Sequence, residues 1–112
     1  MSAPRLNRAL VLEAPERVSD GAGGYSEVWT ALGTLWAEVD AGSGRERALS
    51  GAPVSATRYR ITVRGAPVGK AERPQPQQRF RDEARVFLIQ AVAEADSDGR
   101  YLICFADEEV AV

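Results

Sequence analysis

The 112-residue sequence contains no histidine and a single cysteine, Cys104. Without an imidazole there is no Ser-His-Asp or Cys-His nucleophile system and no HExxH zinc site. A lone thiol also excludes an intrachain disulfide and a four-cysteine zinc site. Lysine is almost missing: thirteen of the fourteen cations are arginine, and Lys70 is the exception. Long apolar runs are absent too. The longest, Tyr101 to Ala106, has six residues, against the ~20 that a membrane-spanning helix needs. Near the start, the run Ala9 to Leu12 stops at Glu13, short of the roughly 7 to 15 residues of a secretion signal's apolar core. These absences predict a chain that works in the cytoplasm, contacts no membrane and carries neither metal nor cofactor.

What is present fits one folded unit over residues 1–112. Apolar residues make up 45% and charged residues 27%, near globular averages, and the length suffices for a core without covalent staples. The formal net charge of -2 conceals a polarity. Residues 1–44 carry three Arg against six acids, residues 45–85 carry nine Arg and Lys70 against four acids, and residues 86–112 carry Arg100 against six acids. A basic middle therefore lies between acidic ends.

The periodicity is that of strands. In Arg58-Tyr59-Arg60-Ile61-Thr62-Val63-Arg64, apolar and polar residues alternate, which places Tyr59, Ile61 and Val63 on one face and the arginines on the other. Weaker alternation runs through Asn7 to Glu13 and through Leu35, Ala37 and Val39; Tyr25 to Leu32, Arg85 to Ala93 and Arg100 to Ala106 complete the set. Turn chemistry separates these runs at Asp20-Gly21-Ala22-Gly23-Gly24, Ala31-Leu32-Gly33-Thr34 and Asp96-Ser97-Asp98-Gly99. The expected fold is all-β and mainly antiparallel, a small β-barrel or sandwich. Its long inter-strand loop holds one short helix or turn at Ser43 to Leu49, where Ser43 and Glu46 have capping-box spacing. The Gly- and Pro-rich stretch between Arg64 and Phe80 lacks ladder donors and reads as a surface connection.

Few residues point to chemistry. Gly21-Ala22-Gly23-Gly24 has Ser26 where a dinucleotide fingerprint needs its last glycine, and a strand follows where a helix should open. Gly42-Ser43-Gly44-Arg45 lacks the Gly-Lys-Ser/Thr ending of a P-loop. The acid clusters Asp82-Glu83, Asp96 with Asp98, and Asp107-Glu108-Glu109 read as solvated charge in turns and in the C-terminal tail. Cys104 reads as a small core residue, and Trp29 and Trp36 as core or interface anchors. The Arg58, Arg60 and Arg64 face has two readings: the solvated side of a sheet, or a positive stripe facing a polyanion or an acidic surface of a neighbouring subunit. A chain with a basic middle and acidic ends suits head-to-tail association into a ring. No convergent polar pocket suggests an enzyme; the competing reading is a small-barrel nucleic-acid-binding module.

The ordered segments Leu6-Asn7-Arg8, Asp20 to Trp29, Leu35-Trp36-Ala37-Glu38-Val39, Ser43-Gly44-Arg45-Glu46, Tyr59 to Arg64 and Arg85-Val86-Phe87-Leu88-Ile89 resemble the head-closure proteins of tailed phages, also called head-tail joining, head-completion or stopper proteins. The sequence departs from that pattern at Asp82-Glu83-Ala84, where an Asp-Gly turn commonly precedes the Arg-Val-Phe strand. The resemblance implies a virion protein of a phage, prophage or gene transfer agent, a non-enzymatic head-tail connector that is built in the bacterial cytoplasm. It implies a β-barrel that forms a cyclic ring below the portal or adaptor, closes the DNA-filled capsid and offers a docking surface to a tail terminator or tail protein. Double-stranded DNA would pass through the ring's channel. The loop at about Ala41 to Ser55, with Ser43, Arg45, Glu46 and Arg47, would project toward the channel or contact a neighbouring subunit.

Overall fold

The computed structural model describes residues 3–42 and 58–109. Six strands account for most of them: β1 Arg8–Ser19, β2 Tyr25–Ala41, β3 Arg58–Arg64, β4 Arg79–Asp82, β5 Arg85–Glu94 and β6 Tyr101–Glu109. Every pairing is antiparallel, and the order β1-β2-β3-β6-β5-β4 returns to β1, so the sheet closes into a barrel. Closure decides between the two architectures the sequence left open. The expected short helix at Ser43 to Leu49 lies outside the described residues, among which there is no helix.

Alternation sends one side chain in two to the barrel axis. Leu10 and Leu12 of β1, Ile61 and Val63 of β3, Phe80 of β4, Phe87 and Ile89 of β5, and Leu102, Cys104 and Ala106 of β6 are all buried. Each fully buried large apolar side chain contributes roughly 1.5–3 kcal/mol, and closure gives them a single shared interior. The two phenylalanines stand opposite each other across the β4–β5 ladder. The connection 65–78 runs over the surface as turns, yet Pro74 within it is fully buried.

Two elements differ from the sequence reading, and a third sharpens it. Ala31-Leu32-Gly33-Thr34 is not a turn: β2 runs unbroken through it, and the register of β1 against β2 slips there, pairing Leu12 with Gly33 but Glu13 with Ala31. Leu32 is the extra residue of a bulge, and Gly33, at φ +152°, absorbs the distortion. Second, Asp107 and Glu108 do not form a solvated tail but belong to β6. Third, Asp82 and Arg85 pair across a turn of only two residues, Glu83 and Ala84, with Glu83 itself at φ +55°. The hairpin is as tight as an Asp-Gly turn would make it, at the cost of a left-handed glutamate.

The β1–β2 hairpin outruns the barrel. Along β1, β4 reaches only Val11–Glu13, and along β2, β3 reaches only Ala37–Ala41. Ala14–Ser19 and their partners Tyr25–Thr30 therefore form a two-stranded ribbon with no third strand among the described residues, roughly 20 Å long at the rise of an extended chain. Its tip is closed by Asp20, whose Oδ1 accepts hydrogen bonds from the N–H groups of Ala22 at 2.8 Å and Gly24 at 3.1 Å.

Candidate assembly surfaces

One mouth of the barrel is plugged by charge. Arg8 and Asp82 point along the inward side of their strands and form an ion pair. Beside them, Arg85 Nε donates to Glu108 Oε2 at 2.8 Å, and its Nη2 donates to Glu108 Oε1 and to the Tyr59 hydroxyl, both at 3.2 Å. The same guanidinium lies 4.9 Å from the centre of the Phe87 ring, which meets Tyr59 edge-on. The hydrogen bond from Arg85, foremost, holds the Glu108 carboxyl below the usual carboxylate range. β2 ends and β3 begins at this mouth. The Gly42 N–H donates to the Arg58 carbonyl at 2.6 Å, which pins the two ends of segment 43–57 side by side. Gly42 has no room for a side chain, because a Cβ would stand 2.8 Å from that carbonyl oxygen.

A second charged cluster braces the root of the ribbon. Glu13 is only 5% exposed, and it accepts hydrogen bonds from Arg79 Nε at 2.6 Å and Arg81 Nε at 2.8 Å. Burial by itself would raise the Glu13 carboxyl's pKa, but the hydrogen bonds and charges of Arg81 and Arg79 outweigh it and hold the group below its ordinary value. Arg79 also stacks 4.1 Å above the centre of the Trp29 ring, so this tryptophan serves the outer brace rather than the core. Neither cluster stands out in the sequence. The one available signal was Arg79-Phe80-Arg81, a short alternation that reads as a strand with an apolar inward residue.

The β3 arginines are placed as alternation predicts, on the outward face, but they differ from one another. Arg58 Nε binds Asp107 Oδ1 at 3.1 Å on the adjacent strand β6 of the same chain. Arg60 is exposed and has no ion pair among the described residues. Arg64, also exposed, has its guanidinium 6.0 Å from the Tyr101 ring centre. Register puts Tyr101 beside Arg64, and Glu38 and Ile103 on either side of Thr62, while Trp36 shares a groove with Arg64. Trp36 is 59% exposed. A shallow groove lined by Leu6, Thr34, Leu35, Trp36 and Arg64 flanks this strip, and a second spans it, with Glu38, Arg60, Thr62, Asp96, Arg100 and Ile103 in its lining. The candidate loop residues Ser43, Arg45, Glu46 and Arg47 lie outside the described residues.

Asp96 serves local structure. Asp96 accepts from the Arg100 backbone N–H at 2.9 Å and pairs with its side chain, closing the β5–β6 turn. No group of acids or Cys104 is arranged to hold a metal among the described residues. Cys104 is buried, and burial pushes its thiol up to about 12.

Comparison with known proteins places this barrel. The family profile for phage head completion proteins matches residues 1–109. The chain belongs to the phage head completion protein family. A chain in the virion of a native gene transfer agent particle is 55% identical and superposes with a TM-score of 0.80, covering 98% of this chain and 100% of its own length. Protein SF1141 from Shigella flexneri 2a, known from a solution structure, covers the full length of both chains with a TM-score of 0.73 at 23% identity, and so shares the fold. A search of curated proteins gave no match. The β3 strip and the ribbon are both outward features of this barrel.

Proposed function

We propose that this protein is a structural component of a phage-like particle, a stopper that forms a ring below the portal or adaptor. There it closes the DNA-filled head and presents the surface on which the tail docks. The observation that carries this reading is the 55% identity, over almost the whole of both chains, to a chain of a gene transfer agent virion. The geometry supports it. A closed barrel is a rigid base, and the Gly42–Arg58 hydrogen bond anchors segment 43–57 at a mouth stiffened by Arg8–Asp82 and Arg85–Glu108. That segment brings Ser43, Arg45, Glu46 and Arg47 to a neighbouring subunit or to the backbone of the DNA in the channel, where arginine forms charge-assisted bonds with phosphate or carboxylate. In this reading the protein performs no catalysis.

Deletion of the gene in a particle-producing strain is the direct test, with electron microscopy and a nuclease-protection assay as readouts. Heads that lose DNA and lack tails are expected, with rescue by the wild-type gene. Fully packaged, tailed particles without the chain would overturn the reading. Replacing Arg45 and Arg47 together by Ala tests the loop: the barrel should melt as the wild type does while the particles leak DNA or lack tails, and normal titres would remove the loop from the mechanism.

A further inference from the structure

The ribbon Ala14–Ser19/Tyr25–Thr30 lacks what ordinarily stabilises such an element. An isolated two-stranded hairpin is marginal in water, and among the described residues the β2 edge from Tyr25 to Trp36 has no strand beside it, which is an invitation to pairing. The ribbon's two faces differ. On the face that continues the barrel's outward side, Arg17 lies over the Tyr25 ring at 4.5 Å and stands opposite Glu27. On the other face, Val18 and Val28 are 40% and 42% exposed, and Glu16 lies beside them with no cation paired to it among the described residues. Thr30 Oγ1 donates to Glu16 Oε2 at 2.8 Å, which holds that carboxylate flat on the ribbon. This face mixes the apolar Ala14, Val18 and Val28 with Ser26, Thr30 and one carboxylate that has no ion pair among the described residues.

The β3 strip has the converse composition. Arg60 and Arg64 are cationic with no ion pair among the described residues, and Trp36, Tyr101 and Ile103 supply apolar surface around them. Glu38 and Asp40 stand on β2 in register with Thr62 and Arg60, which confines the strip's positive charge to its guanidinium groups and suits a single carboxylate better than a continuous row of phosphates. Within one chain the two faces cannot meet: the ribbon prolongs β1 and β2, and β3 joins β2 only at Ala37–Ala41. From this complementarity we infer that the ribbon of one subunit docks, through its Glu16/Val18/Val28 face, on the Arg60–Arg64 strip of a second copy of this chain. Two different patches meet, so the contact is head-to-tail and repeats around a ring. The inference rests on the head-closure reading and adds to it the surfaces that join the subunits.

Cross-linking inside particles tests it. Two single-substitution chains, Val28→Cys and Thr62→Cys, are co-expressed in the deletion strain, and purified particles are treated with a short bis-maleimide. Cys104 is buried and stays silent. A covalent dimer in the mixture, but in neither chain alone, supports the contact. A dimer from Val28→Cys alone means ribbon meets ribbon and overturns it, and so does the absence of any dimer from particles that contain both chains. If even the wild-type chain is missing from particles, the head-closure reading fails and takes this inference with it. As a second variant, Arg60→Glu with Arg64→Glu should abolish incorporation, and Glu16→Arg added to it should restore some; a double variant incorporated at the wild-type level refutes the charge pairing. Duplex DNA bound by the isolated chain and lost in Arg60→Glu, with no cross-link in particles, would assign the strip to DNA instead.

Discussion

Replacing Glu13 by Gln keeps the shape of the side chain and removes its charge. In the folded protein the carboxylate is 5% exposed and bridges Arg79 and Arg81 at 2.6 and 2.8 Å. Removing one partner of a buried pair costs about 3–5 kcal/mol. The Arg79 and Arg81 side chains, however, are 18% and 40% exposed, so water recovers part of that loss, and the amide oxygen still accepts one hydrogen bond. A loss of about 2 kcal/mol remains, in line with one charge-assisted hydrogen bond, and it corresponds to roughly 8 °C in Tm for a domain of this size. The pH dependence makes the test sharper. The folded pKa of Glu13 is depressed, so its contribution is present in full above the ordinary glutamate range and is lost as pH falls through the folded value. Urea unfolding at pH 7 should therefore separate Glu13→Gln from the wild type by about 2 kcal/mol, and the two curves should converge once the pH lies below the folded pKa. A gap that stays the same at both ends would show that packing, and not ionisation, accounts for the effect. No gap at pH 7 would refute the brace.

Other outcomes follow from single features. Glu83 sits at φ +55° in a two-residue turn, so Glu83→Gly should raise stability by about 0.5 kcal/mol, the relief of a left-handed side chain less the entropy of glycine; a thermal melt reads it. Phe80 is fully buried, and Phe80→Ala should cost about 3–5 kcal/mol, enough to leave little folded protein in a urea titration if total stability is ordinary. Cys104, buried and with its thiol pushed up to about 12, should resist a thiol reagent such as Ellman's at pH 8 and react completely in denaturant. Gly42→Ala would set a Cβ 2.8 Å from the Arg58 carbonyl oxygen. It should lower Tm and speed proteolysis of segment 43–57, because the hydrogen bond that pins its ends is lost.

The strand content was legible because period-two alternation is a local property. Arg58 to Arg64 shows it residue by residue, and the structure keeps Ile61 and Val63 inside with Arg60 and Arg64 outside. Local signals also misled. Leu32-Gly33 resembles a turn, but pairing with β1 overrides it and makes the glycine a bulge within one long strand. Asp107-Glu108-Glu109 reads as a solvated tail by composition, and it becomes strand only because β3 and β5 offer ladders on both sides and supply Arg58 and Arg85 as partners. β4 is four residues long, too short for periodicity to show. Yet it closes the barrel and brings Arg79 and Arg81 to Glu13.

By itself, then, the sequence determined the class of the fold, the inward residues of its clearer strands, the absence of histidine chemistry and the basic middle between acidic ends. Tertiary structure alone decided closure into a barrel, the ribbon that outruns it, and which charges are spent inside the chain. The physical reason is sequence separation. Glu13 finds Arg79 and Arg81, Arg8 finds Asp82, and Arg58 finds Asp107 only across strands brought together by the barrel. Once those pairs are made, the cations left on the β3 strip are Arg60 and Arg64, and only the fold could single them out from the rest of the basic middle.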